Sequence, residues 1–241
     1  MLKVEGINKY FSHKQVLNNI TVEFGGNRVF GILGPNGAGK STLFKIIIGI
    51  LKPTTGKVIF QDREVTNFSI WERIRLGIGY LPQEIAVFRD LSVYENLYCV
   101  WEVWKNGMPE SILDETLELF GINHVRDVKA SKLSGGEARK LELARIHLMK
   151  SKLMLLDEPF AGIDPVSVIT LKQLITNLKN TSCIILTDHN IYEAIQVVDY
   201  CFIIYDGKII AEGERNHILD NEFVKKIYLG ENIFWEYLKN V

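Results

Sequence analysis

The sequence predicts an α/β fold in which a mostly parallel sheet is covered by helices and interrupted by a helical insertion. Three observations carry this. Strand-like apolar runs alternate with helical stretches over most of the 241 residues. A glycine-rich loop, "GPNGAGKS" at 34–41, lies between a buried strand and a helix. From about residue 84 to 150 strand signals fade and helical spacing takes over.

In chain order, residues 1–33 read as strands with turns. "VLNNITVEF" alternates in part, "GGN" (25–27) turns the chain, and "VFGIL" (29–33) is a buried strand. "KSTLFKIIIGIL" is a helix that Pro53 is expected to stop. "GKVIFQDREV" reads as one further strand, and "IGYLPQ" as a strand ending at Pro82-Gln83. The insertion supplies helices at "LSVYENLYCVWEVW", "ESILDETLELFGI" and "SGGEARKLELARIHLMK". Then "KLMLLDEP" and "TSCIILTDH" are strands flanking the helix "PVSVITLKQLITNLKN". "YCFIIYDGKIIAEG" is a hairpin turning at Asp206-Gly207. The tail, 214–241, reads as helical and ends in aromatics, among them Phe234, Trp235 and Tyr237.

Composition narrows the function classes. Apolar residues make up 47% and charged residues 24%, an ordinary globular balance. The formal net charge of −1 gives no global argument for nucleic-acid binding, and none is expected. Cys99, Cys183 and Cys201 cannot all pair, and Cys183 and Cys201 sit in strand-like runs, so reduced core cysteines are expected. "IIIGIL" is far shorter than the ~20 apolar residues of a membrane span. The chain is expected to be soluble, any membrane spans coming from partners.

The loop at 34–41 matches G-x-x-x-x-G-K-[ST]. Gly34, Gly37 and Gly39, set among Pro35, Asn36 and Ala38, would let backbone N–H groups of this loop curl around phosphates at the positive end of a helix. Lys40 would reach the β/γ-phosphates, Ser41 would hold Mg²⁺, and Thr42 is placed near the α-phosphate. "LMLLDEP" ends a buried strand in Asp157, suited to a Mg²⁺ shell, followed by Glu158. Adjacent carboxylates can divide roles, one for metal and one as general base toward water. Gln83 and His189 also follow apolar runs, where ligands bind in open α/β sheets. Gln83 could touch Mg²⁺ or the attacking water; His189 could donate to the γ-phosphate. The ligands implied are a nucleoside triphosphate and Mg²⁺.

"LSGGEARKLELAR" (133–145) is less ordinary. Ser134 with Glu137 fits an S-x-x-E capping box. The box does not explain Gly135-Gly136, poor helix formers in a first turn. Glycines there would let something approach the backbone, and a serine hydroxyl with bare N–H groups makes an anion site.

"GPNGAGKST", Gln83 after "YLP", "LSGGE", "LLDEP", "AGID" and "TDH" occur in that order, and with them the chain resembles the nucleotide-binding subunits of ABC transporters over nearly its whole length. The resemblance implies a P-loop NTPase: a RecA-like core, an N-terminal antiparallel β-subdomain and an inserted α-helical subdomain. It implies one ATPase domain over 1–241, with core and β-subdomain at about 1–83 and 151–241, and the helical subdomain at about 84–150. It assigns Tyr10 to stacking on adenine, with Val16 nearby and Phe11 as a competing candidate. It also implies a homodimer with two ATP at the interface, each between one P-loop and the partner's LSGGE, with Asp164 at the seam.

Finer segments, including "RLGIGYLPQE", "VFRDLSVYENL", "LDEPFAGIDPVSVI" and "ILDNEFVKKIYLGE", resemble the LptB-type ATPases of lipopolysaccharide export. That implies membrane partners of the LptF/LptG type with an LptC-like protein, a place on the cytoplasmic face of the inner membrane, and a groove near Phe88 and Arg89 that grips the permease. Trp101 and Trp104 are expected in the subdomain core rather than in that contact. The competing reading is an ATPase of another transporter, such as a branched-chain amino-acid importer. Two departures stand out: His147 in "ARIHL", in a helix normally apolar there, and the long aromatic tail.

Overall fold

The computed structural model describes residues 1–105 and 107–229. Its centre is a six-stranded sheet in the order β10-β9-β3-β8-β7-β6. These strands are β3 (Val29–Leu33), β6 (Ile78–Leu81), β7 (Leu153–Asp157), β8 (Cys183–Asp188), β9 (Tyr200–Tyr205) and β10 (Lys208–Glu214). All neighbours pair parallel except β10, which closes the hairpin on β9 through Asp206 and Gly207, both at positive φ. A second sheet, β2-β1-β4-β5, is antiparallel and built from β1 (Leu2–Phe11), β2 (Lys14–Phe24), β4 (Thr55–Phe60) and β5 (Arg63–Glu64).

The central strands read as unbroken apolar runs because both faces are covered. Successive residues point to opposite sides. Met154, Leu156, Ile184 and Leu186 join one buried cluster with the helical insertion; Leu153, Leu155, Cys183 and Ile185 join a second cluster with the antiparallel sheet. Cys183 and Cys201 are buried and reduced as expected, while Cys99 is exposed.

The insertion consists of α3 (Val93–Trp104), α4 (Ile112–Leu119) and α5 (Gly135–Leu148) with short 3₁₀ turns between them. Helices α1 (Lys40–Ile48), α2 (Ile70–Arg75), α6 (Pro165–Leu178), α7 (Ile191–Ala194), α8 (Arg215–Asp220) and α9 (Glu222–Leu229) complete the described chain. The tail aromatics Phe234, Trp235 and Tyr237 lie outside the described residues.

Two expectations are corrected. Helix α1 stops at Gly49, not at Pro53: Gly49 is left-handed (φ 89) and donates to the Ile46 carbonyl. "GKVIFQDREV" is a hairpin rather than one strand, because Gln61 and Asp62 both take positive φ (50 and 62) and turn β4 into β5. The end of α1 also recruits Arg73 of α2, whose fully buried guanidinium donates to the carbonyls of Ile46, Ile47, Thr66 and Phe68. It brings a charged donor to the end of α1, where carbonyls run out of helical N–H partners, sharing Ile46 with the Gly49 N–H.

Candidate functional site

The P-loop follows β3 directly. Gly34 leaves the strand where an added Cβ would lie 2.2 Å from the Ile204 carbonyl oxygen of β9, so no side chain fits. Gly39, at φ 108, starts α1 without any side-chain cap, leaving the first N–H groups of the helix to an anion. The β9–β10 turn braces the loop through the Gly207 N–H to the Ala38 carbonyl, 3.1 Å. Lys40 folds back over the loop onto the carbonyls of Gly34 (2.6 Å) and Pro35 (3.0 Å), and burial lowers its pKa. Pro35, Asn36, Gly37, Ser41 and Thr42 complete the loop and first turn.

The carboxylates stand at the C-terminal ends of β7 and β8. Asp157 is buried; the Thr187 hydroxyl donates to it at 2.5 Å, and the Ser41 hydroxyl lies at 3.5 Å. Burial raises its pKa. Glu158 turns out of the strand at φ 48, a left-handed conformation that a non-glycine residue holds only when its surroundings enforce it. Its N–H is held by the Thr187 carbonyl and hydroxyl at 3.1 and 3.2 Å. Gln83 Nε2 donates to Glu158 Oε2 at 2.9 Å, and His189 Nδ1 lies 3.2 Å from the same oxygen. Gln83, Glu158 and His189, far apart in sequence, thus meet at one carboxylate oxygen.

Sequence reading missed Asp188. It pairs in register with Leu33, one residue before the P-loop. One oxygen accepts the Asn190 N–H (2.7 Å), while the other is buried with no partner. Burial, with the neighbouring Glu158 charge adding, pushes its pKa up to about 6. Three buried carboxylates beside a hydroxyl and an amide form a hard oxygen set with excess negative charge. That chemistry suits Mg²⁺, which takes few protein ligands and completes its shell with phosphate oxygens and water. Ser41 and Asp157 meet here at 3.5 Å, and Gln83 stands on the adjoining Glu158.

Tyr10 and Phe11 end β1, and both are exposed; the Lys9 ammonium lies 5.0 Å from the Phe11 ring centre, engaging that ring. Val16, on the adjoining strand, brings its carbonyl to 3.0 Å of where a Gly39 Cβ would lie, so β2 borders the P-loop.

Ser134 caps α5 in a reciprocal box with Glu137: the serine N–H and hydroxyl donate to Glu137 Oε2 at 2.8 and 2.7 Å, and the serine oxygen faces the Glu137 N–H at 3.3 Å. The same box starts α2 (Ser69, Glu72) and α3 (Ser92, Glu95), where Ile-Trp and Val-Tyr fill the intervening positions. Capping therefore does not require Gly135-Gly136. The environment requires Gly136, where a Cβ would lie 2.1 Å from Ser167 Oγ; at Gly135 a Cβ would lie 3.2 Å from the Ile163 side chain, a tight contact that a small shift relieves. The sequence pointed to the γ-phosphate of another copy as the approaching group; within this chain segment 162–167 also approaches these glycines. Asp164 caps α6 in that segment, accepting the Ser167 N–H at 3.0 Å.

Helix α5 also holds the Gln83 loop. Arg139, buried, donates to the carbonyls of Pro82 (2.7 Å) and Gln83 and pairs with buried Glu142 at 2.9 Å. Glu142 accepts the Ala86 N–H, and Arg145 donates to the Ala86 carbonyl and covers the Phe88 ring at 4.6 Å. One helix therefore carries Ser134 at its start and the Gln83 anchor a turn later. Beyond Phe88 lies a mainly apolar groove of about 470 Å³ with Trp71, Trp104, Val103 and Cys99 in its walls. Phe88 lines it; Arg89 is exposed and does not. Trp101 is in the core as expected, but Trp104 lines the groove 6.1 Å from Trp71, a correction.

The model of the ABC transporter family matches residues 17–161. Lipopolysaccharide export system ATP-binding proteins LptB of Haemophilus influenzae and Escherichia coli K12 are each 40% identical over 235 residues, 96% of this chain and 98% of theirs. The ADP conformation of MJ1267, an ATP-binding cassette of an ABC transporter, superposes with a TM-score of 0.83 at 30% identity, covering 96% of this chain and 99% of that one. This chain belongs to the ATP-binding subunits of ABC transporters and is an ATPase with the P-loop NTPase fold. Among the described residues no helix is long and apolar enough to cross a membrane.

Proposed function

We propose that this ATPase powers lipopolysaccharide extraction from the inner membrane, on its cytoplasmic face, through LptF/LptG-like permeases with an LptC-like protein. The observation that carries this reading is the 40% identity, over nearly the full length of both chains, to proteins named for that export system. It favours export over import of branched-chain amino acids. The groove behind Phe88 would receive the permease, and Cys99 in its wall reports on it, since the other two cysteines are buried.

In the proposed cycle ATP lies on the P-loop with its adenine against Tyr10 and Val16. Ser41, Asp157 and Gln83 would hold Mg²⁺, which when bound would supply positive charge against the phosphates. Glu158 takes the proton of a water whose oxygen attacks the γ-phosphorus, while ADP departs with the bonding electron pair. Gln83 and His189, already at Glu158 Oε2, orient that carboxylate, and His189 would turn its ring to the γ-phosphate. Ser134, Gly135 and Gly136 of a second copy would close the site, with Asp164 at the seam, giving a two-fold dimer with two ATP. Purifying the chain from membranes tests the reading. An LptF/LptG-like pair recovered with it supports export, and an importer permease in their place overturns it.

A further inference from the structure

Strand β8 runs Cys-Ile-Ile-Leu-Thr-Asp, buried throughout, and Thr187 carries its one hydroxyl. A buried central strand favours a β-branched side chain, and valine would fill the same space. A buried hydroxyl costs free energy unless it is hydrogen-bonded, so the partners of this one bear on its role. The sheet register sets Thr187 beside Asp157 of β7. The Thr187 hydroxyl donates to Asp157 Oδ1 at 2.5 Å, and its oxygen accepts the Glu158 N–H at 3.2 Å. The Thr187 carbonyl accepts the same N–H at 3.1 Å. One side chain therefore ties the carboxylate assigned to Mg²⁺ to the backbone of the carboxylate assigned to water.

We propose that Thr187 is a positioning residue for hydrolysis: its hydroxyl locks the Glu158 backbone to Asp157, so that the base stands at a fixed place relative to the metal ligand. This rests on the reading of Glu158 as the base. Glu158 needs such a hold, because its backbone sits at φ 48, where a non-glycine residue stays only under constraint. Gln83 and His189 fix the carboxylate end of that residue, at 2.9 and 3.2 Å from Oε2. Thr187 fixes the other end. Its branched Cβ restricts χ1, so the strand itself sets the direction of the hydroxyl. Valine would keep the packing and the carbonyl tie but release both hydroxyl contacts. A misplacement of about 1 Å at a reacting group costs about 10²-fold in rate.

Kinetics of the full chain with Mg²⁺ and ATP test this. Thr187→Val should lower kcat about 10²-fold and leave KM for ATP close to the parent value, because the P-loop is untouched. Thr187→Ser, which keeps the hydroxyl, should return most of the rate. In the Glu158→Gln background, followed in single turnovers, Thr187→Val should cost nothing more, since the group it places is already gone. A merely structural role would lower the rate by the same factor in both backgrounds. If Thr187→Val does not fold, Thr187→Cys carries the same expectation, being of similar size with only a weak S–H donor. A parental kcat in Thr187→Val or Thr187→Cys overturns the proposal. So does an equal fall in both backgrounds, or a serine variant as slow as the valine one. Glu158→Gln turning over at the parental rate instead removes the base itself, a failure of the underlying reading that is seen before any Thr187 variant is made.

Discussion

Replacing Gly136 by alanine should damage this protein although alanine is the better helix former. In isolation the change in the first turn of α5 is worth up to about 1 kcal/mol in its favour. The structure reverses the sign. The new Cβ would lie 2.1 Å from Ser167 Oγ and 2.4 Å from Ser167 Cβ, and rotating the hydroxyl relieves only the first contact. Carbon atoms need roughly 3.5 Å, so α5 and α6 must part by about 1 Å. Overpacking of this kind costs about 1–3 kcal/mol, and displacing Ser167 weakens the Asp164 cap by about 1 more. The net loss is about 2 kcal/mol, a fall in Tm of roughly 4–8 °C for a domain of this size. Calorimetry of Gly136→Ala measures it, with turnover alongside. Nucleotide affinity at the P-loop should hold while hydrolysis falls, because the start of α5 and the Asp164 segment move apart. Adding Ser167→Gly should recover part of the loss, a coupling of about 1 kcal/mol or more. Parent-like Tm and turnover in Gly136→Ala would refute the packing argument.

Three further outcomes follow from buried charge. Asp188→Asn should stabilise the free protein at neutral pH: a folded pKa of about 6 against an unfolded value near 3.9 means the native state holds the proton more tightly, so stability falls as pH rises through about 4–6. The gain at pH 7 should reach up to about 3 kcal/mol in urea titrations and disappear near pH 4. His147 has the opposite sign: burial against Phe120 lowers its pKa, so stability should fall as pH drops below about 6.5, and His147→Leu should remove that slope. Arg73→Met should cost about 3 kcal/mol by denaturant midpoint, since four carbonyls lose a charged donor inside the core.

The strands, the P-loop and the helical insertion were legible because each is a local pattern with a fixed period. The Asp206-Gly207 turn was legible for the same reason. Where two local signals competed, the wrong one was chosen: Pro53 is the stronger helix breaker, yet Gly49 reaches the left-handed region first and ends α1. Gln61-Asp62 carries no glycine and did not announce a turn. What stayed hidden depends on pairing between distant segments. Gly136 is small because α6 crosses it, and nothing near residue 136 names Ser167. Arg139 and Glu142 look like a solvated charge run within "EARKLELAR", yet both are buried on the Gln83 loop. Asp188 sits beside the conspicuous His189, and only the register with Leu33 brings it to the P-loop. Trp104 reads as core by its apolar helix, but it faces Trp71 across the groove.

In the proposed cycle each ATP site is finished by a second copy of the chain. Sedimentation of Glu158→Gln with Mg²⁺ and ATP tests it most directly. Without its base the variant should turn over ATP about 10²–10⁴-fold more slowly and accumulate as a dimer holding two ATP. Adding Ser134→Arg should leave one ATP bound per chain but return the protein to monomer. A double variant that dimerises as readily as Glu158→Gln would rule out Ser134 as part of the partner's site, and a Glu158→Gln protein that stays monomeric with ATP bound would rule out a site completed by a second copy.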